Sequence, residues 1–561
     1  MKYSSILPLF LLFAFSSCTR IQLELTLDEL SDKENYTATM VLDCSTYKGQ
    51  RVDRILVNGS ETNEKGILEL KTAGYYRIQI YVKGSDPDRP ELIRIVLLDP
   101  ERGEAEWGLP PWTPAVPEPG ELGEQAVKLI YPPSAPAGIS IPLVVVLGEE
   151  LTLSELNLNA EIGSQPFRIK RGVGSVSIPV AQGEQALRID NRSFPVSTIS
   201  LNAAPLILSG VVAADKHYPA GSYIHVPGDL TIPEGITISI GSGSFLSIAP
   251  EVNILNEGHL YFSGSAGSPV TVTCSEEKKY WGGYIGSSSG NRVEATHTIF
   301  CRSGFHMGEE YNYGHGRRQA LFYSENGELA LDHCYIIDHI GQIFYPVSCE
   351  LELSDCLIQR AKTGGQLNDS ELQMDRCVFS DFPDDSNEYR DDDNDGLYLN
   401  RTNAVITNSM FMYAKDDGLD SGASGGGEVV INNCRFEANF HEGAALSSGN
   451  TTVKLHRISN SIFTNCGQGL ELGYSSVNHH VEVDSCSFIR NGIGIRYGDN
   501  YEMRHHGSIH VANSASLENS VFDVWNMNRE HWAADTSQMS FYQVTVSRAN
   551  PMYPELIVYE K

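Results

Sequence analysis

From about residue 206 onward, apolar and polar positions return in short units with no 3.6-residue helical period. A small residue or Cys, a variable residue and a Phe or Ile recur as Cys334-Tyr335-Ile336, Cys356-Leu357-Ile358, Cys377-Val378-Phe379 and Ser409-Met410-Phe411. The series continues as Cys434-Arg435-Phe436, Ser461-Ile462-Phe463, Cys486-Ser487-Phe488 and Ser520-Val521-Phe522, at spacings of 22, 21, 32, 25, 27, 25 and 34 residues. Asn408, Asn433, Asn460 and Asn519 precede four of these units, and Gly418, Gly443, Gly469 and Gly494 follow four of them by eight or nine residues. Two strand-like marks per period predict a parallel β-solenoid. Residues i and i+2 share a strand face, so the Cys/Ser and the Phe/Ile should both point inward and stack on their equivalents about 4.8 Å away. The longest spacings are read as coils carrying outward loops. Cys334, Cys356, Cys377, Cys434 and Cys486 alternate with Ser in one ladder. They are expected as buried, reduced thiols, with Cys356 and Cys377 on adjacent coils as the pair best placed to cross-link.

Upstream, Thr37–Leu42 and Tyr75–Val82 alternate or run apolar, with a turn signal at Asn58-Gly59. They predict a small β-sandwich-like module over residues 18–105. Pro110, Pro111, Pro114, Pro117 and Pro119 mark a stiff linker over 106–122. A second β module is expected over 123–205, with Leu143–Leu147 as a buried strand and no evident chemistry, hence a spacer. The expected fold class is all-β: a right-handed parallel β-helix over 206–561, preceded by two small β-sandwich-like modules. At the N-terminus, Lys2 precedes the apolar run Ile6–Phe15, too short to cross a bilayer, and Phe15-Ser16-Ser17-Cys18 closes it. This resembles a bacterial lipoprotein signal. The resemblance implies that residues 1–17 are a signal peptide, that Cys18 is lipidated, and that the chain is anchored in the cell envelope, on the outer membrane or facing the periplasm.

The 561 residues carry 41 Lys and Arg against 71 Asp and Glu, a formal charge of −30. That balance excludes a nucleic-acid binder, which needs a basic face for phosphates. It leaves the lipid as the only expected contact with a membrane. The acids concentrate: residues 378–420 hold 11 of them and only three bases, Arg390, Arg401 and Lys415. Asp391-Asp392-Asp393-Asn394-Asp395-Gly396 has the alternating oxygen ligands and turn glycine of the front half of a calcium loop, but Thr402 stands at the twelfth position, so it is no EF-hand. One coil later comes Asp416-Asp417-Gly418-Leu419-Asp420, so Asp395-Gly396 should stack on Asp417-Gly418. Stacked carboxylates repel unless a cation sits among them. The expected ligands are Asp391, Asp393, Asp395, Asp416, Asp417 and Asp420, and the expected ion is calcium.

The repeat region resembles the right-handed parallel β-helix family that includes pectate lyases and polygalacturonases. Asp416-Asp417-Gly418-Leu419-Asp420, with acids one coil earlier, is similar to the calcium cluster of family-nine pectate lyases. That resemblance implies calcium bound to a substrate uronate and a Lys from a following coil as base. Here the Lys position is filled by Ala445 or Glu471, and Lys415, Lys454 and Arg457 are the nearby bases. The polygalacturonase motifs, Gly314-His315-Gly316 and Arg168-Ile169-Lys170, precede the carboxylates in the chain, the wrong order for that family. His441, His456, His479, His480, His505 and His506 crowd the late coils and read as polar-face histidines. No catalytic residue is assigned.

The expected function is calcium-dependent binding of extended polysaccharide or a cell-surface glycan by a monomer. A polysaccharide lyase or hydrolase with a non-standard base, and a structural or adhesive protein without turnover, are the alternatives. If Cys18 carries the lipid, Cys18→Ser should move the protein from the detergent phase to the aqueous phase in detergent partitioning; unchanged partitioning would remove the anchor.

Overall fold

The computed structural model describes residues 112–559 apart from 153, 181–183, 309, 315, 386–392, 422–426, 447–454, 473–479, 499–506, 527–538 and 551–552, together with strand segments between 23 and 107. Among them there is no helix. The N-terminal unit contains a three-stranded antiparallel sheet (Leu23–Leu27, Ala38–Asp43, Ile67–Leu70) and a six-stranded one that includes Gln50–Val57, Gly74–Val82 and Leu92–Asp99. Cys18 and the signal segment lie outside the described residues, as does Cys44.

The repeat region is a right-handed parallel β-helix built from three sheets of 15, 14 and 13 strands. Each coil passes from the first sheet to the second and then the third. Ile336, Ile358, Phe379, Phe411, Phe436, Phe463 and Phe488 are successive register partners in the first sheet. From Phe379 to Phe488 the ring centroids are 5.2, 5.2, 4.6 and 4.8 Å apart, with interplanar angles of 21°, 6°, 3° and 15°. That is close to the spacing of the strands, so each ring rides on the one below. The recurrent glycines follow from the same stack. A Cβ on Gly443 would lie 2.6 Å from the Gly469 carbonyl oxygen and 2.9 Å from Phe463 Cδ1.

The Cys/Ser ladder has a donor role as well as a size requirement. Cys356, Cys377, Cys434 and Cys486 each point the thiol at the carbonyl two residues back, at 3.2–3.4 Å, and the Ser409 and Ser461 hydroxyls donate to the same position at 2.7 Å. Either residue fits a narrow bend that needs one small donor. All nine described cysteines are buried and free, Cys356 and Cys377 included. The residue before each rung turns the chain: His333, Asp355, Arg376, Asn408, Asn433, Asn460, Ser485 and Asn513 have φ between 48° and 55°. Asn is the side chain that tolerates this left-handed region best.

The last expected rung is misplaced. Ser514, not Ser520, follows Cys486: its hydroxyl accepts the Cys486 N–H at 3.0 Å, and Ser487 pairs with Ala515. Phe522 belongs to the second sheet, while Ser516 occupies the place opposite Phe488. With no aromatic at the true rung, the next small-x-Phe string mimics the repeat. Asn519 instead joins a buried corner ladder. Asn439, Asn491 and Asn519 donate Nδ2 to the carbonyls of Phe411, Phe463 and Phe488 at 3.2, 3.1 and 3.1 Å.

The segment 112–205 packs on the outer face of the first sheet, so it is no detached spacer. Its strand Ser140–Leu147 is buried on both sides, which explains the unbroken apolar run. Leu143, Val145 and Leu147 fill the module's own core, while Val144 and Val146 pack with Tyr335, Leu357, Val378 and Met410 of the β-helix. Polar contacts rim this seam: Arg171 pairs with Glu437 at 2.7 Å and the Ser177 hydroxyl donates to Asp338 at 2.7 Å.

His339 is an early counterpart of the corner asparagines. Its Nδ1 accepts the Ser303 N–H at 3.1 Å, and its Nε2 lies 3.2 Å from the Phe300 carbonyl, so the neutral ring uses both nitrogens. Burial pushes its pKa down to about 4, against the opposing pull of the Phe300 carbonyl and Asp338. A depressed folded value means that stability is whole above the unfolded pKa of about 6.5 and is lost as pH falls toward 4, by about 3 kcal/mol in total. Thermal melts should therefore fall across this window, and His339→Asn should flatten that part of the profile; an unchanged slope would remove the assignment.

Candidate functional site

The acidic coils meet where the chain enters the second sheet. Gly396, Gly418, Gly443 and Gly469 succeed one another at van der Waals limits, each too close to the next carbonyl for a Cβ. This register places Asp395, Asp417, Glu442 and Gln468 in one column and Asn394, Asp416, His441 and Gly467 in the column before it. Backbone hydrogen bonds hold it: Gly396 N–H donates to Asp417 O at 2.8 Å and Gly418 N–H to Glu442 O at 2.9 Å.

The structure brings together Asp395, Asp416 and Asp417, all buried, with Asp420 half-buried beside them. Asp393 is described as half-buried with φ of 50°. Asp391 lies outside the described residues. The carboxylate column is partly neutralised by backbone donors: Asp417 N–H donates to Asp395 Oδ1 at 3.3 Å and Glu442 N–H to Asp417 Oδ1 at 2.9 Å. Three residues that the sequence did not single out as ligands, His441, Glu442 and Gln468, complete the group. His441 Nδ1 is 3.3 Å from both Asp416 Oδ1 and Asp417 Oδ1, and it touches Glu442 Oε2. Gln468 donates Nε2 to the other Glu442 oxygen. The available signal was register: His441 is the residue one coil after Asp416.

These neighbours pull the acids apart. Burial first, then Asp416, Asp417 and Asp420, push the Asp395 carboxyl well above its ordinary pKa. Burial also pushes on Asp417, but hydrogen bonds from the Glu442 and His441 groups outweigh it and hold that carboxyl below its ordinary value. Glu442 is driven well up by burial and by Asp417 and Glu471. Burial would lower His441, yet Glu442, Asp416 and Asp417 hold it well above an ordinary imidazole. The backbone donors and the His441 ring thus already offset part of the repulsion that suggested calcium. The converging donors also differ from an oxygen-only cage, because an imidazole nitrogen lies among them.

On the outward face of the second sheet, Tyr398, Asp420, Ala445, Glu471 and Arg496 are successive partners. Glu471, at a position where the pectate lyase comparison has Lys, is ion-paired with Arg496, and both are buried. A guanidinium keeps its proton, so Arg496 is a fixed positive charge and no general base. Earlier on this face, Tyr323 and Tyr345 stack at 5.9 Å, and Tyr313, folded over them, stacks on Tyr345 at 5.5 Å.

Around the corner from the acids is a cavity of about 420 Å³. Its walls come from Val116, Pro117 and Pro119, from Asn157, Asn159, Arg168 and Lys170, and from Asp381, Asp384, Asp385, Tyr413, Lys415 and Phe440. Lys415 and Phe440 are the residues just before Asp416 and His441. The Pro-rich segment is pinned to the β-helix by Trp112, whose indole N–H donates to Asn465 O at 2.9 Å, and by Ala115, whose N–H donates to Asn465 Oδ1 at 2.8 Å. Gly467 and Gly492 leave room for the Trp112 ring. Lys170 pairs with Asp381 and lies 4.1 Å over the Tyr413 ring; Lys415 lies 4.1 Å over Phe440. The fold thus carries Lys170 to the β-helix wall although it sits far upstream in the chain. His315, Lys454, His479, His505 and His506 lie outside the described residues.

Removing one member of the buried Glu471–Arg496 pair leaves an uncompensated charge, which costs about 3–5 kcal/mol. Arg496→Met should lower stability in chemical denaturation by that order, and adding Glu471→Leu should restore most of it; no recovery in the double variant would show that Arg496 is held by other partners. No known protein-family model matches this chain, and no curated protein sequence matches it significantly, so the chemistry of the cluster rests on its own geometry.

Proposed function

We propose that this chain is an exported, lipid-anchored β-helix protein that binds extended polysaccharide in a cation-dependent way, using the corner cavity and the adjoining acidic cluster. The cavity carries the reading. Its lining interleaves carboxylates, ammonium groups, a guanidinium and amides, with prolines and two aromatic rings between them. A sugar hydroxyl both donates and accepts, so a wall offering both kinds of partner suits a polyol better than a ligand of one charge. Its volume is in the range of small-ligand sites. The tyrosines on the second sheet add flat surfaces of the kind that sugar rings stack on. The cation belongs at Asp393, Asp395, Asp416, Asp417 and Asp420, and calcium is the ion that their oxygens alone would favour.

A polysaccharide panel tested by affinity electrophoresis, with and without chelator, checks this. At least one extended polysaccharide should retard the protein, and Asp384→Ala with Asn159→Ala, both lining the cavity, should weaken that binding at least tenfold. New reducing ends or an ultraviolet-absorbing unsaturated product would assign the lyase or hydrolase form. Retardation by no member of the panel would refute the reading in favour of a structural or adhesive protein.

A further inference from the structure

The corner cavity has a boundary as well as a lining, and the boundary decides which part of a glycan can enter; this inference rests on the glycan-binding part of the proposed function. We propose that residues 112–120 form a fixed strap across the corner cavity, so that a glycan enters only by a chain end and the cavity recognises its terminal sugar units.

The strap is held at both ends. At one, the Trp112 indole N–H donates to Asn465 O at 2.9 Å, the Ala115 N–H donates to Asn465 Oδ1 at 2.8 Å, and Asn465 Nδ2 donates back to Ala115 O at 2.8 Å. The Trp112 ring is seated against two glycines: a Cβ on Gly467 would lie 3.2 Å from Trp112 Cβ, and one on Gly492 would lie 3.4 Å from Trp112 Cε3. At the other end, the Gly120 N–H donates to Asn157 O at 2.8 Å, and the Leu122 N–H donates to Asp190 Oδ2 at 2.7 Å just beyond. Pro114, Pro117 and Pro119 fix φ within this short span, so it is stiff and cannot fold aside.

These anchors close a ring. The β-helix meets the strap at Asn465, and the strap meets the docked module at Asn157. The module returns to the β-helix through the Lys170–Asp381 pair and through Arg171–Glu437 at 2.7 Å. All three sides line the cavity: Val116 and Pro117 from the strap, Asn159 and Lys170 from the module, Asp381 and Tyr413 from the β-helix. A polymer cannot be laid sideways into a closed ring, so its end must come first. Admitting an internal stretch would mean unseating Trp112 and breaking the three hydrogen bonds to Asn465. The size agrees. The cavity of about 420 Å³ is near the lower end of the sites that enclose one small molecule. That is room for about two or three sugar units rather than a long stretch.

The test uses the full chain and ladders of cello-, chito- and galacturono-oligosaccharides, from one unit to about eight, read by calorimetry. In a series that binds, affinity should rise up to about three units and change less than about twofold beyond that. A bulky dye on the end that enters should cost at least about tenfold, and the same dye on the far end of the longest member less than about twofold. Asn465→Ala removes both side-chain bonds to the strap and should relieve that dye penalty at least about threefold. Trp112→Ala serves as the second variant if the first fails to fold. Affinity that climbs steadily with length, or dyes that cost nothing at either end, would overturn end-on entry and leave polysaccharide binding standing. Retardation by polymers whose ladders do not bind would do the same. A dye penalty unchanged in the folded variants would overturn the strap as the gate. Binding of neither ladder nor polymer would refute the proposed function itself, and this inference with it.

Discussion

Everything in the β-helix follows from parallel pairing in register between coils. Each residue meets its own equivalent one strand spacing away, so a side chain is selected for how well it stacks on its like. Phe does this well, as the stack from Phe379 to Phe488 shows. Asn does it by lending Nδ2 to the carbonyl of a neighbouring coil. Cys and Ser do it by filling little space and donating locally. Glycine appears where the neighbouring carbonyl and ring leave no room for a Cβ.

The same constraint makes a column of acids a special place. Asp395, Asp417 and Glu442 cannot all be carboxylates in one buried column at no cost. The structure divides them: Asp395 and Glu442 are driven up, Asp417 is held down, and His441 is held up by the charges around it. Backbone N–H groups share the remaining burden. A group this strained by its own register is a natural place for an ion or a ligand charge.

Concavity comes from elsewhere. A β-helix offers long flat faces, and here the docked module and the Pro-rich segment convert the corner beside the acids into a cavity. Trp112 and Lys170 are both contributed from far upstream, one seated on Gly467 and Gly492, the other paired with Asp381. Apolar packing of Val144 and Val146 on the first sheet fixes the wall in which Lys170 stands.

The sequence by itself determined the solenoid, because stacking like on like writes the same letters at every coil: the Cys/Ser and Phe series, the repeated Gly and the preceding Asn. It also determined that Asp395-Gly396 lies over Asp417-Gly418, since their offset equals one coil. Where the coil lacked its aromatic, at Ser516, the periodicity lost its mark and Ser520 took the place of Ser514. His441 and Glu442 were visible only as members of a crowd of histidines and a strand, because their importance comes from which way the side chains turn at the corner. Lys170, Trp112 and the cavity were decided by tertiary structure alone. They depend on one module docking against one sheet, and no local pattern records which surface of a neighbour a strand will cover.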